Sequence, residues 1–143
     1  MTKIIYIRHG QTEWNITGRY QGQSDVPLSE LGVEQAKKLA AAFPAPDITA
    51  IYSSSLTRAM TTAQCVADRF SLTVQPRKEL REINFGDWEG LTYDEITAKW
   101  PEALTDFFQR PDRLVIPHGE SFPIVQERAL GCIRVLCEAL PGE

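Results

Sequence analysis

Near its start the chain carries an apolar run, Ile4-Ile5-Tyr6-Ile7, that passes directly into Arg8-His9-Gly10. The stretch Lys3 to Ile7 reads as a buried first strand, and the polar stretch Gln11 to Pro27, with Gly18 and Gly22, as a long loop of the kind that carries function. Ser29 caps a helix whose apolar positions Leu31, Ala36, Leu39, Ala40 and Phe43 keep helical spacing until Pro44 and Pro46 stop it. Ala50 to Ser53 reads as a second strand, Leu56 to Phe70 as a helix behind Ser54 and Ser55, and Leu72-Thr73-Val74 as a third strand. Alternation of this kind is α/β in type. Parallel strands joined by right-handed crossovers end on one edge of the sheet, so the loops after Ile7 and Tyr52 should open on the same rim.

The second half changes character. Phe85, Gly86, Trp88 and Gly90 precede a short helix with a capping box, Thr92 and Glu95. Pro101 allows another short helix, to about Gln109. A proline-containing loop from Arg110 to Gly119 then leads to Ser121, the expected cap of a long final helix with Val125, Ala129, Cys132, Ile133, Leu136 and Leu140 on its apolar side.

With 143 residues and 43% apolar content, the chain is sized for one domain with a real core. A net charge of −4 without basic runs argues against a nucleic-acid or anionic-membrane surface. Cys65, Cys132 and Cys137 lack metal-ligand spacing and read as reduced, packed residues, consistent with a cytoplasmic protein. No apolar stretch approaches the ~20 residues that span a bilayer.

A histidine at the mouth of a strand, beside a fixed positive charge and before a residue without a side chain, suits attack on a phosphoryl group. Taken alone, Arg8-His9-Gly10 equally describes a strand-end histidine with a surface arginine. Arg58 follows the second strand, where its guanidinium fork matches phosphoryl oxygens; alone it also describes a solvated helix charge. A cation near a helix N-terminus opposes the helix dipole, so an anion beside it would explain the placement. Asn15 offers a donor to a phosphate oxygen or serves as a turn asparagine. Thr12 reaches a phosphate or caps a turn, and Trp88 and Tyr93 line a pocket or pack.

Five pieces of text occur together in order: RHGQTEWN, GRYQGQSDVPLSELG, YSSSLTRAMTTA, LREINFGDWEG and HGES. Together they resemble the histidine phosphatase superfamily. The resemblance implies a three-layer α/β/α fold with a mostly parallel sheet, of the phosphoglycerate mutase-like type, with residues 1–143 forming one domain and about 84–120 a small helical cap-like insertion. It implies His9 as a nucleophile that becomes phosphorylated, Arg8 and Arg58 as phosphoryl-holding residues, and Glu82 as acid and base, its pKa raised by burial beside the substrate. Asn15, Gln21 and Gly22 correspond to substrate contacts, while Glu79, Glu89 and Glu95 read as surface glutamates. The expected substrate is a small phosphorylated metabolite, with no metal or cofactor and with a homodimer possible. Phosphomonoester hydrolysis is favoured over phosphoglycerate mutase activity because little chain separates Glu82 from the GES segment. A non-catalytic phosphate-binding module is the third reading.

The resemblance also implies a second histidine on a strand after the last helix, inserted between the first two strands seen here. His118 does not match it and reads as rim. The expectation is therefore a C-terminally shortened chain that lacks this strand region, with impaired turnover.

Overall fold

The computed structural model describes residues 2–45 and 47–140. In chain order, the elements are α1 (Glu13–Ile16), α2 (Glu30–Ala41), β1 (Ile51–Ser54), α3 (Thr57–Phe70), β2 (Val74–Arg77), α4 (Tyr93–Lys99), α5 (Ala103–Gln109) and α6 (Phe122–Ala139). Strands β1 and β2 pair in parallel, with Ile51 opposite Val74 and Ser54 opposite Arg77. Helix α3 is their crossover and packs against α2, so the α/β class and the parallel pairing are as expected.

Local signals place the helix starts. The Ser29 hydroxyl accepts from the Gly32 amide, Thr92 and Glu95 close a reciprocal capping box, and Ser121 accepts from the Ile124 amide. Helix α2 ends at Ala41, before Pro44; Pro46 lies outside the described residues. The loop expected from Gln11 to Pro27 contains α1, whose capping box joins Thr12 to Asn15. The third strand is displaced toward the C-terminus. Ser71 turns into the left-handed region at φ 54° and the Leu72 amide donates to the Ala67 carbonyl, so the residue expected to begin the strand completes the end of α3.

The first strand is the main correction. Lys3 to Ile7 forms no strand, and none of its backbone groups is hydrogen-bonded to a described residue. Ile4, Ile5 and Ile7 remain 44%, 37% and 42% exposed. The cause is pairing, not propensity, because a strand exists only through a ladder and the edge of β1 stands across a cleft from this segment. That cleft, about 540 Å³, is bounded by residues 2–9, β1, the start of α3 and the C-terminal part of α6. Ile4, Ile7, Ile51, Val66, Leu136 and Leu140 make much of its wall apolar. The expected apolar face of α6 points into this space and is therefore only half-covered.

Two cores hold the rest. Ala40, Phe43, Ala45 and Val66 join α2 to α3, supported by Ile51 and Phe70. A larger cluster of Ile83, Trp88, Ile96, Leu104, Leu114 and Ile116 consolidates the second half. Trp88 is fully buried, with Tyr20, Phe85 and Phe107 around it, so it packs and does not line a pocket. Tyr93 stays half exposed.

Candidate functional site

Irregular backbone holds His9, but the residue after it is anchored firmly. The Gly10 amide donates to the Thr62 hydroxyl at 3.1 Å, and that hydroxyl donates to the Arg58 carbonyl at 2.8 Å. Gly10 also lies against the backbone of Gly32, where a Cβ would collide with the Gly32 carbonyl. The end of the N-terminal segment is thus fixed between α2 and α3.

The His9 Nδ1 lies 2.6 Å from the Gly10 carbonyl oxygen. A carbonyl can only accept, so Nδ1 carries the proton and Nε2 presents its lone pair. The ring is held below the ordinary histidine value of 6.5, foremost by burial; the Gly10 bond opposes this, Arg58 and Arg8 lower it further, and Glu82 raises it. Neutral imidazole therefore persists to lower pH than in a free histidine. Because the unfolded chain takes up this proton first, the group's contribution to stability falls as pH drops below 6.5 toward the folded value. In an NMR titration, the His9 Cε1 proton, assigned by its loss in His9→Gln, should show a midpoint below 6.5, and Arg8→Met should move it upward. A midpoint at or above 6.5 would refute this account of the site.

Arg58, on the first turn of α3, is only 2% exposed, so it is not a solvated helix charge. Its NH1 donates to the Ser24 carbonyl at 2.9 Å and its NH2 to the Gly22 carbonyl at 2.6 Å. The guanidinium has five N–H donors, and the remainder are uncommitted among the described residues. Arg8, His9, Arg58, Arg81 and Glu82 all line the one cleft. Glu82 is exposed, contrary to the burial expected of it, and its Oε1 accepts from the Ile83 amide at 2.8 Å. Arg81 was not anticipated; its Nε donates to the Ser55 hydroxyl at 2.7 Å, and its adjacency to Glu82 was the available signal.

Asn15, Gln21 and Gly22 do not line this cleft. The Asn15 Oδ1 accepts from the Thr12 amide at 2.9 Å, and the hydroxyl of the fully buried Thr12 donates to Gln21 Oε1 at 2.6 Å. Gly22 takes φ 52°, and a Cβ there would strike the Glu89 carboxylate and lie 2.8 Å from the Phe85 nitrogen. Gly22, through its carbonyl, belongs to the shell that holds Arg58, while Asn15 and Gln21 bond to Thr12 instead. Glu89 belongs to that shell and is not a surface glutamate: its Oε1 accepts from the amides of Gln23 and Phe85, and its Oε2 from the Ser24 hydroxyl.

The anion expected beside the N-terminus of α3 is present within the chain. Asp25 accepts from the Thr57 amide at 2.7 Å and its hydroxyl at 2.8 Å, chiefly the first of which holds its carboxyl below the ordinary range. No sequence signal links Asp25 to a helix that starts so far along the chain. His118, at φ 56°, is exposed and pairs with Asp87 at 3.0 Å, outside the cleft.

Residues 4–143 match the histidine phosphatase superfamily, branch 1. The chain belongs to this superfamily. It is 38% identical over 131 residues to phosphoserine phosphatase 1 of Hydrogenobacter thermophilus, covering 92% of this chain and 62% of that one. It is 40% identical over 135 residues to glucosyl-3-phosphoglycerate phosphatase of Mycolicibacterium vanbaalenii, covering 94% of this chain and 59% of that one. Among solved structures, Bacillus stearothermophilus YhfR superposes with a TM-score of 0.89 at 40% identity, covering 95% of this chain and 67% of that one. This histidine phosphatase chain thus spans about 60% of the length of these curated relatives. Among its described residues no helix is long and apolar enough to cross a membrane.

Proposed function

We propose that the site is that of a phosphomonoesterase acting on a small phosphorylated metabolite. One observation carries this reading: the buried Arg58 guanidinium, with donors uncommitted, lines the same cleft as an imidazole whose Nε2 lone pair is free. Arg58 and Arg8 take up phosphoryl oxygens, balancing the charge of the transferring group. His9 Nε2 attacks phosphorus; the N–P bond forms as the bond to the ester oxygen breaks, and the Glu82 carboxylic acid gives its proton to the departing alkoxide. Glu82, now a carboxylate, takes a proton from water as that water attacks phosphorus and the N–P bond breaks, which restores both groups.

The phosphatase names of the relatives support hydrolysis and suggest phosphoserine and glucosyl-3-phosphoglycerate as first substrates to try. The test is a panel of such esters assayed for free phosphate and for isomerised product, with acid quenching to trap phosphohistidine. Release of phosphate through an acid-labile phosphoenzyme is the expected result. Faster isomerisation of 3-phosphoglycerate than hydrolysis of any ester would reassign the site to a mutase, and no phosphoenzyme on any ester would sink the enzyme reading in favour of a phosphate-binding module.

A second histidine facing His9 belongs to the same proposal. The resemblance supplies the histidine, and the cleft between residues 2–9 and β1 supports the strand that would carry it, since much of the wall is apolar and both sides carry backbone without ladder partners on the facing side. A longer form with a strand there should turn over roughly 10²–10³ faster than the 143-residue chain, the scale of one electrostatic group in a transition state.

A further inference from the structure

Arg128 lies on α6, outside every motif that carries the chemistry, yet no other side chain in the described structure is so fully engaged. Its Nε donates to Glu120 Oε1 at 2.9 Å and its NH2 to Glu120 Oε2 at 2.9 Å. NH1 donates to the carbonyls of Glu79 and Arg81, each at 2.7 Å, and NH2 also donates to the Glu82 carbonyl at 3.0 Å. All five guanidinium N–H donors are thereby committed. The Glu120 carboxylate extends the grip, because its Oε2 accepts from the Asn84 amide at 2.8 Å and from Gln23 Nε2 at 3.4 Å. Gln23 Nε2 in turn donates to the Glu82 carbonyl at 3.2 Å.

The common target is the backbone on either side of Glu82. The carbonyls of Arg81 and Glu82 and the amide of Asn84 are held by one ion pair, whose side chains are 18% and 21% exposed. The carboxylate of Glu82 is exposed and closed only onto its own neighbour's amide, so the direction in which it leaves the backbone is set by these bonds. Of the four backbone groups so held, the Glu79 carbonyl lies apart, and the other three fall within two residues of Glu82.

We propose that Arg128, through Glu120, is a positioning residue for Glu82: it fixes the backbone from which the proton donor reaches the leaving oxygen. This rests on the phosphatase reading for its kinetic consequence but not for its structural one. A lysine at 128 keeps the charge but cannot reproduce a planar fork with five donors.

The test uses Arg128→Lys, with Glu120→Gln as a second, isosteric variant, on the intact chain. Hydrogen exchange should show the Asn84 amide losing protection in both variants while the amides of α3 keep theirs; unchanged protection at Asn84 in a folded variant overturns the proposal whatever the activity. In kinetics, an alkyl phosphate, whose alkoxide needs a proton, should lose kcat by on the order of 10². Nitrophenyl phosphate, whose phenolate leaves without one, should lose far less. Glu82→Gln should show the same leaving-group pattern, and Glu82→Gln combined with Arg128→Lys should add little to it, since the two act as one unit. Equal losses on both esters, or full additivity with Glu82→Gln, would make Arg128 a general structural staple and overturn the assignment. A parent chain inactive on both esters counts against the phosphatase reading, with the exchange result still deciding the positioning.

Discussion

Alanine in place of His9 should abolish turnover and the acid-labile phosphoenzyme together, with a loss roughly on the 10⁶-fold scale of deleting a covalent nucleophile. The magnitude follows from what His9 alone supplies. In the proposed mechanism Arg8 and Arg58 bind charge and Glu82 moves a proton, but none presents a neutral nitrogen lone pair at the end of the cleft. The fold should survive, because the His9 side chain bonds only to the adjacent Gly10 carbonyl while the Gly10 amide keeps its bond to Thr62. The substitution also leaves a thermodynamic signature independent of substrate. The folded chain holds His9 below 6.5, so the parent loses stability as pH falls through the interval between 6.5 and that lower value. His9→Ala lacks this contribution, and the stability gap between the two chains should change in its favour on acidification. Residual phosphoenzyme in His9→Ala, with the label on another residue, would assign the nucleophile elsewhere.

The features legible in the sequence are those with local causes. A serine or threonine three residues before the amide it caps is a short-range pattern, and Ser29, Thr92 and Ser121 start helices as read. Helix α1 escaped because its box closes with Asn15, where glutamate or glutamine is the usual signal. Strand β2 contains Pro76, which argues against a central strand; it is tolerated because β2 pairs with β1 alone in this sheet. Lys3 to Ile7 has the composition of a strand, but composition does not provide the neighbouring ladder. Within the site, the residues that face the cleft, Arg8, His9, Arg58 and Glu82, lie in recognisable text. The groups that hold them, Asp25, Glu89, Glu120 and Arg128, act on backbone amides and carbonyls at long sequence separation, and backbone partners leave no trace in residue identity.

Substitution of Arg58 with methionine should damage stability and chemistry at once, and by separable routes. The folded chain buries this guanidinium with the carbonyls of Gly22 and Ser24 on it and with Glu82, Asp25 and Glu89 near enough to favour its charge. Methionine fills similar space but leaves the Gly22 carbonyl without a donor, the Ser24 carbonyl with the Val26 amide alone, and the carboxylates facing a neutral side chain. The expected cost is about 1–3 kcal/mol, the range for leaving a buried acceptor without its partner, read as a lower denaturant midpoint. Loss of a preorganised cation at the phosphoryl group takes a further factor on the order of 10²–10³ from kcat. Arg58 also lowers the His9 pKa, so its removal should raise the His9 midpoint and shift the acid limb of the rate profile to higher pH. That shift separates an electrostatic role from simple loosening. Lysine at 58 isolates the geometry: an ammonium restores a charge but cannot bond to both carbonyls and still offer a fork to phosphate. It should therefore recover part of the His9 midpoint shift and little of the lost kcat. A variant Arg58→Met with an unmoved His9 midpoint and kcat within about tenfold of the parent, well short of that electrostatic scale, would remove Arg58 from the site, and with it the observation on which the phosphatase reading stands.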